Sequence, residues 1–147
     1  MQGTVEAILK HKGSRVWTVP ADATVHEAIE LMAARNVGAL VVVTGSKLEG
    51  IFSERDYIRK VALYEKSSRE ILVSDVLSAK LFVAAPDSTV EECMRMMTEN
   101  RIRHLPVLDG ERLAGLISIG DLVNWIISAQ SVEIDQLNNY IAGQYPG

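Results

Sequence analysis

Two stretches decide the fold of this chain: TVHEAIELMAARNVGALVVVTGSKLEGIFSERD at residues 24–56 and TVEECMRMMTENRIRHLPVLDGERLAGLISIGD at residues 89–121. They align without a gap at a constant offset of 65 residues. Such self-similarity indicates one structural unit that occurs twice. Two copies are too few for a solenoid, so we expect them to pack face to face about a pseudo-twofold axis, with two related clefts between them. The identical pairs are Thr24/Thr89, Val25/Val90, Glu27/Glu92, Met32/Met97, Leu40/Leu105, Val42/Val107, Gly45/Gly110, Leu48/Leu113, Gly50/Gly115, Ser53/Ser118 and Asp56/Asp121.

The composition narrows the class of protein. One copy of about 60 residues would bury little apolar surface alone, which favours obligate pairing of the two copies. Aromatic residues make up only 5% of the chain and the net charge is −4. Both values argue against a nucleic-acid binder, because such proteins need stacking platforms and clustered cations. The lone Cys93 cannot form a disulfide within the chain, and we expect it in the core.

Each copy reads as β-α-β-β-α. Thr24 and Thr89 each begin a capping box with a Glu three residues later, so both mark helix starts, and Asn36 ends the first of these helices. The continuous apolar runs that follow are typical of buried strands. The predicted strands lie at residues 16–19, 39–43 and 48–52 in copy one, and at 82–84, 105–108 and 113–117 in copy two.

The same patterns predict the domain boundaries. We expect residues 1–64 to form the first repeat with its N-terminal segment, and residues 71–129 to form the second. The polar residues 65–70 are the predicted linker. Residues 130–147 form a predicted helical tail in which Ile134, Leu137 and Ile141 recur at helical spacing. This tail would cover an apolar groove on this chain or on a partner subunit.

Both copies end in the signature Gly-apolar-apolar-Ser-x-x-Asp, in which a strand delivers Ser to a helix start. Ser53 and Ser118 would donate a hydroxyl to a phosphate or sugar oxygen near that helix N-terminus. Asp56 and Asp121 would accept hydrogen bonds from two neighbouring hydroxyls, such as those of a ribose. The alternative is structural, because Ser-x-x-Asp is also a helix cap. Gly50 and Gly115 leave room for a close approach to the strand.

A second signal lies at residues 101–107, where Arg103 and His104 enter a strand that is predicted to be buried. Cations held at that position suit a phosphate clamp, with Arg able to bind two oxygens at once. The alternative is that Arg101 and Arg103 are simply solvated. The sequence offers no Ser-His-Asp order, no metal-ligand cluster and no carboxylate dyad, so we expect neither an enzyme nor a metal site.

The repeated unit resembles the cystathionine-β-synthase (CBS) domain, and its tandem occurrence resembles a Bateman module without an attached enzyme or channel. The resemblance rests on the motifs GIFSERD in copy one and NRIRHLPV and GLISIGD in copy two. It implies an α+β fold, a CBS-domain pair with two β-α-β-β-α repeats related by a pseudo-twofold axis. Their two three-stranded sheets would pack together, and the module would dimerise into a flat disk.

The resemblance also implies a ligand: AMP, ADP, ATP, NAD(H) or S-adenosylmethionine, with no cofactor required. By the motif, Asp56 and Asp121 would hold ribose hydroxyls, while Ser53 and Ser118 would contact the ribose or the α-phosphate. Arg103 and His104 match the family's basic pair. Val16, Thr18 and Phe82 would wall the adenine pocket. The basic residues of one copy can serve the ligand of the other, since the clefts lie between copies.

The copies differ where charge matters. Arg103 and His104 correspond to Gly38 and Ala39 in copy one, whereas Arg55 corresponds to Gly120 in copy two. We therefore hypothesise two non-equivalent nucleotide sites, with the Ser118 and Asp121 site the tighter one.

The resulting prediction is a cytoplasmic regulatory sensor that binds an adenine nucleotide and signals to a downstream protein through its shape or dimer geometry. Residues 1–12 lack the apolar segment of a signal peptide, and the longest aliphatic run is too short to cross a bilayer. The alternative is a structural protein-interaction or dimerisation module with vestigial nucleotide sites.

Overall fold

The computed structural model describes residues 3–64, 67–77 and 80–141, and within the last helix it describes side chains up to Ala129 and at Leu137. The predicted β-α-β-β-α order is confirmed in the first repeat, and the whole is a mixed α+β structure. The helices are α1 (Val5–Lys12), α2 (Val25–Arg35), α3 (Glu54–Lys60), α4 (Val90–Asn100) and α5 (Ile119–Ile141). The strands are β1 (Thr18–Pro20), β2 (Ala39–Thr44), β3 (Lys47–Ser53), β4 (His104–Asp109) and β5 (Arg112–Ser118).

The ends of α2 and α4 follow their local sequence. The Thr24 hydroxyl accepts a hydrogen bond from the Glu27 amide at 3.1 Å, and Thr89 caps α4 in the same way at 3.0 Å from the Glu92 amide. Asn36 ends α2 in the left-handed conformation, with φ 55°, which Asn tolerates better than most residues. Each helix packs its apolar face on a sheet, and Cys93 is buried in that face of α4 as predicted.

The sheets of the two repeats differ. In the first, β1 pairs parallel with β2, which pairs antiparallel with β3. The predicted strand at residues 82–84 is wrong, and so is the expectation of two three-stranded sheets. Of residues 82–84, only Ala84 pairs with β4, by donating to the Pro106 carbonyl at 2.9 Å and accepting from the Leu108 amide at 2.9 Å. β1 itself begins at Thr18, two residues later than predicted.

Pro106 explains the shorter pairing. At the corresponding place in the first repeat, the Val41 amide donates to the Trp17 carbonyl at 3.1 Å. Pro106 occupies the position of Val41 and has no N–H. The equivalent bond to Phe82 therefore cannot form, and the ladder shrinks to one residue.

Each repeat completes its core with a segment from the other side of the linker. Val5, Ile8 and Leu9 of α1 are buried in the core of the second repeat. Val73 and Val76, in a short 3₁₀ helix, are buried in the core of the first repeat. The backbone follows the same exchange, since the Val5 amide donates to the Ser88 carbonyl at 2.9 Å and the Val73 amide to the Ala23 carbonyl at 2.8 Å. Each repeat therefore buries apolar residues that the other sequence segment supplies.

The C-terminal helix crosses the predicted boundary at residue 130 without a break, because α5 runs continuously to Ile141. Of the apolar strip predicted in the tail, only the side chain of Leu137 is described, and it is 58% exposed. The side chains of Ile134, Tyr140 and Ile141, the linker residues Glu65 and Lys66, and residues 142–147 lie outside the described part. None of the helices in the described ranges combines the length and apolarity needed to span a membrane.

Candidate functional site

A cleft of about 440 Å³ opens between the two repeats. This volume lies within the range of small-molecule sites, roughly 300–1,000 Å³. One wall comes from Gly38 and from β3 and α3 of the first repeat, and the other comes from residues 80–82 and the α4–β4 junction. We call it the Asp56 cleft. Its lining residues are Gly38, Gly50, Ile51, Ser53, Glu54, Arg55, Asp56, Arg59, Lys60, Lys80, Leu81, Phe82, Asn100, Arg101, Ile102, Arg103 and His104.

The cleft gathers six of the ten residues predicted from the sequence. Ser53, Arg55 and Asp56 come from copy one, and Phe82, Arg103 and His104 come from copy two. The basic pair of copy two thus faces the signature of copy one. The other four predicted residues, Val16, Thr18, Ser118 and Asp121, do not line this cleft.

The helix-cap interpretation of Ser-x-x-Asp is confirmed in both repeats. The Ser53 hydroxyl accepts from the Asp56 amide at 3.2 Å, and Asp56 Oδ2 accepts from the Ser53 amide at 2.9 Å. Ser118 and Asp121 make the same pair of bonds, at 3.1 and 2.8 Å. These bonds fix the carboxylate at the start of each helix. Because the cap already holds the carboxylate in place, the group loses little further conformational entropy when it accepts a hydrogen bond from a ligand. Capping and ligand binding are therefore compatible roles for the same residue.

The Asp56 cleft is strongly positive in an acidic protein. Six Lys and Arg side chains line it against two carboxylates, those of Glu54 and Asp56, which leaves an excess of four positive charges. Lys60 forms an ion pair with Asp56 on the same helix, at 3.5 Å, and donates to the Val76 carbonyl at 2.8 Å. The remaining cations are Arg55, Arg59, Lys80, Arg101 and Arg103. Such a cluster favours a ligand with several negative charges.

His104 lies in the field of both signature carboxylates. Burial lowers the pKa of its imidazole below the ordinary 6.5, and Lys12 and Arg103 lower it further, while Asp121 and Asp56 oppose the shift. His104 is therefore neutral at pH 7, so one ring nitrogen donates and the other accepts. The positive charge of the cleft comes from its Lys and Arg side chains.

Asp121 is already engaged by a residue far away in the chain. Its Oδ2 accepts a hydrogen bond from Lys12 Nζ at 2.7 Å, and the same ammonium donates to the Leu116 carbonyl at 3.0 Å. Burial raises the pKa of the Asp121 carboxyl, but the bonds from Lys12 and Ser118 outweigh it and bring the pKa below its usual value. Asp121 is thus a paired anion with its own cation.

Gly50 and Gly115 do allow a close approach, but by side chains of the exchanged segments. A Cβ at Gly115 would lie 2.7 Å from Leu9 Cδ2, whereas a Cβ at Gly50 would lie 3.5 Å from the Leu77 side chain. Gly50 also lines the Asp56 cleft. Gly115 thus lets α1 pack more closely on the second repeat than a side chain there would allow, whereas the Leu77 contact at Gly50 is an ordinary one.

Several basic cleft residues are not among the site residues predicted from the sequence, namely Lys80, Arg59, Lys60 and Arg101. Lys80 lies just before the predicted strand of copy two, where no motif marks it. The sequence does carry a signal at Arg101, because this residue corresponds to Asn36, which ends the first helix. Arg101 has φ 54°, in the left-handed conformation that brings Cβ close to the following carbonyl oxygen and that residues other than Gly, Asn and Asp rarely adopt. An unfavourable backbone conformation held at a cleft is a sign of function.

No group of three or more His, Cys, Asp or Glu side chains within the described ranges is arranged to hold a metal ion. Lys and Arg side chains dominate the Asp56 cleft instead. Its chemistry is that of an anion and hydroxyl receptor.

Comparison with known proteins points to one family. The family model for the CBS domain matches twice, at residues 7–63 and 73–128. The chain is 39% identical to the mitochondrial CBS domain-containing protein CBSX3 of Arabidopsis thaliana over 97% of its length and 73% of that protein. A solved CBS-domain protein from Burkholderia ambifaria MC40-6 is 50% identical, with a TM-score of 0.83, over 87% of this chain and 96% of that one. A hexameric CBS-CP12 protein from bloom-forming cyanobacteria is 28% identical, with a TM-score of 0.75, over 84% of this chain and 71% of that one.

Proposed function

Because the chain belongs to the CBS-domain family, we propose that it is a regulatory module that binds an adenine nucleotide in the Asp56 cleft. The observation that carries this proposal is the meeting of Asp56 from one repeat with Arg101 and Arg103 from the other in one cleft. A nucleotide has the matching parts, a sugar diol and a charged phosphate chain. The earlier hypothesis favoured Asp121 for the tighter site, and the contacts of Lys12 now favour Asp56.

The proposed roles follow from each group's chemistry. The Asp56 carboxylate accepts hydrogen bonds from the ribose hydroxyls, and Ser53 lies beside it at the same helix start. Arg55, Arg101 and Arg103 bind the phosphates as charge-assisted donors. Phe82 contributes its ring as one face of the base pocket. Its carbonyl, which receives no bond from Pro106, is available to the amino group of adenine.

Charge distinguishes among the expected ligands. The excess of positive charge in the cleft favours ATP, ADP, AMP and NAD(H), in which phosphates carry negative charge. S-adenosylmethionine has a positively charged sulfonium and no phosphate, so the same cations repel it. We therefore rank the phosphate-bearing ligands above S-adenosylmethionine, and the polyphosphates above AMP.

Signalling follows from the position of the cleft. A ligand held by both repeats stabilises one relative placement of the repeats over others, and differential affinity of this kind shifts a conformational equilibrium. We propose that the chain acts as a homodimer that transmits this shift to a downstream protein, and that it works in the cytoplasm without catalysing a reaction. Its cyanobacterial relative of known structure is described as hexameric, which supports assembly as a property of such modules.

Titration calorimetry with ATP, AMP, NAD⁺, S-adenosylmethionine and GTP tests the proposal. We expect ATP to bind and S-adenosylmethionine to give no heat. Arg103→Met should weaken ATP binding at least tenfold, which corresponds to roughly 1.4 kcal/mol. Arg112→Met is the matched control, because Arg112 is 72% exposed in the β4–β5 hairpin and its one ion pair within the described part of the chain is with the nearby Asp109. Equal affinity for GTP, or no adenine ligand bound at all, would overturn the proposal.

A second candidate function, the protein-interaction module, is favoured by one observation. Val123, Ile127 and Leu137 are large apolar residues of α5 that are 40%, 54% and 58% exposed. Exposed apolar groups on one helix suit a protein contact. If the chain is such a module, Leu137→Ser should abolish its assembly in analytical ultracentrifugation while no nucleotide changes its melting temperature.

A further inference from the structure

The two signature carboxylates are equivalent in sequence but not in their partners. Asp56 Oδ1 has a cation of its own helix nearby, Lys60, at 3.5 Å. Asp121 Oδ2 has the ammonium of Lys12 at 2.7 Å, from a helix 109 residues away. The Lys12 and Asp121 side chains are 35% and 20% exposed, so their contact is partly screened from water. Such a short, charge-assisted bond is stronger than a neutral one.

The exchange of segments explains how Lys12 reaches Asp121. Helix α1 packs in the core of the second repeat, and Leu9 lies against Gly115, one strand position from Leu116. This packing leaves the end of α1 beside the start of α5. Gly13 then ends the helix at φ 96°, a conformation that suits glycine. The position of Lys12 is therefore fixed by the buried residues of α1.

Residues 73–80 correspond to α1 and show what happens at the other signature carboxylate. Val5, Leu9 and Lys12 correspond at an offset of 68 residues to Val73, Leu77 and Lys80. The correspondence is structural too, since Val73 is buried in the opposite repeat and Leu77 lies against Gly50. Lys80 lines the Asp56 cleft, but among the described residues it forms no ion pair with Asp56, whose cation is Lys60. The Asp56 carboxylate thus faces an open cleft, and the Asp121 carboxylate faces Lys12.

The aromatic residues at the two predicted base-binding positions also differ in their surroundings. Phe82 lines the Asp56 cleft, and its counterpart at an offset of 65 residues is Trp17. The guanidinium of Arg35 lies 4.2 Å from the centre of the Trp17 ring, and that of Arg15 lies 5.4 Å from it. Both are cation–π distances. A base stacking on Trp17 would have to displace an Arg that already occupies the ring.

We infer that Lys12 closes the Asp121 site from within, so that each chain binds one nucleotide, in the Asp56 cleft. This inference rests on the proposed function. Lys12 supplies the hydrogen bonds that ribose hydroxyls would otherwise make to Asp121, and a ligand has to displace a paired ammonium to enter. Lys12 therefore determines how many ligands the chain takes, and displacement of its side chain from Asp121 would open the second site.

Calorimetric titration of the full chain with ATP tests this stoichiometry. We expect one site per chain in the wild type and two in Lys12→Met, which keeps the aliphatic stem and removes the charge. Lys12→Gln is the second variant, since its amide can still donate to the Leu116 carbonyl. Lys10→Met is the matched control, because Lys10 lies on the same helix, is 77% exposed and, among the described residues, pairs only with Glu6. It should keep one site. Circular dichroism melting establishes that each variant is folded.

The outcomes separate the two proposals. Two sites in the wild type, or one site in both folded Lys12 variants, overturn the inference and leave the proposed function standing. A second site in Lys10→Met also overturns it, because the effect would then be general to the charge of α1. No binding in any of these proteins overturns the proposed function, and the closed-site inference falls with it.

Discussion

Ala84 donates its amide hydrogen to the Pro106 carbonyl at 2.9 Å, and this residue alone continues the sheet of the second repeat beyond β4. The first repeat forms a three-residue strand at the same place. One imino acid thus breaks the symmetry of two otherwise similar repeats, next to the cleft that Phe82 lines.

Replacing this proline should restore the missing pairing. Pro106→Val supplies an amide that can donate to the Phe82 carbonyl, as Val41 does to Trp17 in the first repeat. Because the amide at position 106 is the donor of the restored bond, we expect it to be protected from hydrogen–deuterium exchange in the Pro106→Val protein. The reverse change, Val41→Pro, removes the donor of the equivalent bond to Trp17 and should speed exchange elsewhere in β1. Fast exchange at position 106 would show that something other than Pro106 limits the strand.

Replacing Arg101 should raise the stability of the protein and lower its affinity for ATP. Arg101→Asn places at this helix end the residue type that copy one uses there, and Asn accepts the left-handed conformation more readily. We expect a gain of about 0.5–1 kcal/mol in the free energy of unfolding in urea. ATP affinity should fall, because one phosphate donor is lost. Asn36→Arg is the converse control and should destabilise the protein. A less stable Arg101→Asn protein would contradict this account.

The two strand glycines should respond unequally to a methyl group. Gly115→Ala places a Cβ 2.7 Å from Leu9 Cδ2 in a packed core, so we expect a loss of about 1–2 kcal/mol in the free energy of unfolding. Gly50→Ala meets Leu77 at 3.5 Å, an ordinary contact, and should change stability little. Leu9→Ala combined with Gly115→Ala should cost less than the sum of the two single changes. Strict additivity would mean that Leu9 does not limit the space at Gly115.

Asp121 should give the protein an acid-sensitive part of its stability. Its pKa is lowered in the folded state, so its contribution is complete above the ordinary value near 4 and is lost as the pH falls through the folded value. Asp121→Asn should therefore cost about 1–2 kcal/mol at pH 7 in urea unfolding, and less at pH 3. Glu6→Gln, in an exposed pair with Lys10, should change little at either pH. A cost independent of pH would mean that the charge of Asp121 is not involved.

Cys93 should be inert in the folded protein. Burial, with a smaller effect of Glu92, raises the pKa of its thiol from 9.0 to about 11. Thiolate is therefore scarce at pH 8, and the side chain is enclosed. We expect Ellman's reagent to react only as fast as the protein opens, and fully in guanidinium chloride. Rapid stoichiometric labelling at pH 8 without denaturant would show that α4 does not enclose the thiol.

Local features of the structure were predicted where neighbours in sequence suffice to form them. Thr24, Thr89 and Asn36 mark helix ends because a cap needs only residues within one turn. The Ser-x-x-Asp caps were foreseen for the same reason. The prediction of a strand at residues 82–84 was wrong, although Pro106, which prevents the pairing, was visible in the sequence. A correct prediction required knowing that the nitrogen of Pro106 would face the Phe82 carbonyl, which is a matter of register between distant segments.

The sequence by itself determined the duplication, the family and part of the polar lining of the cleft, namely Ser53, Arg55, Asp56, Arg103 and His104. The tertiary structure decided which of them meet. In the folded chain, α1 packs on the second repeat and the Val73–Val76 segment packs on the first. Arg103 lines the same cleft as Asp56, and Lys12 binds Asp121. Periodicity and capping report on neighbours along the chain. The partners of a charge, however, depend on which apolar faces pack together, and that packing joins residues more than a hundred positions apart.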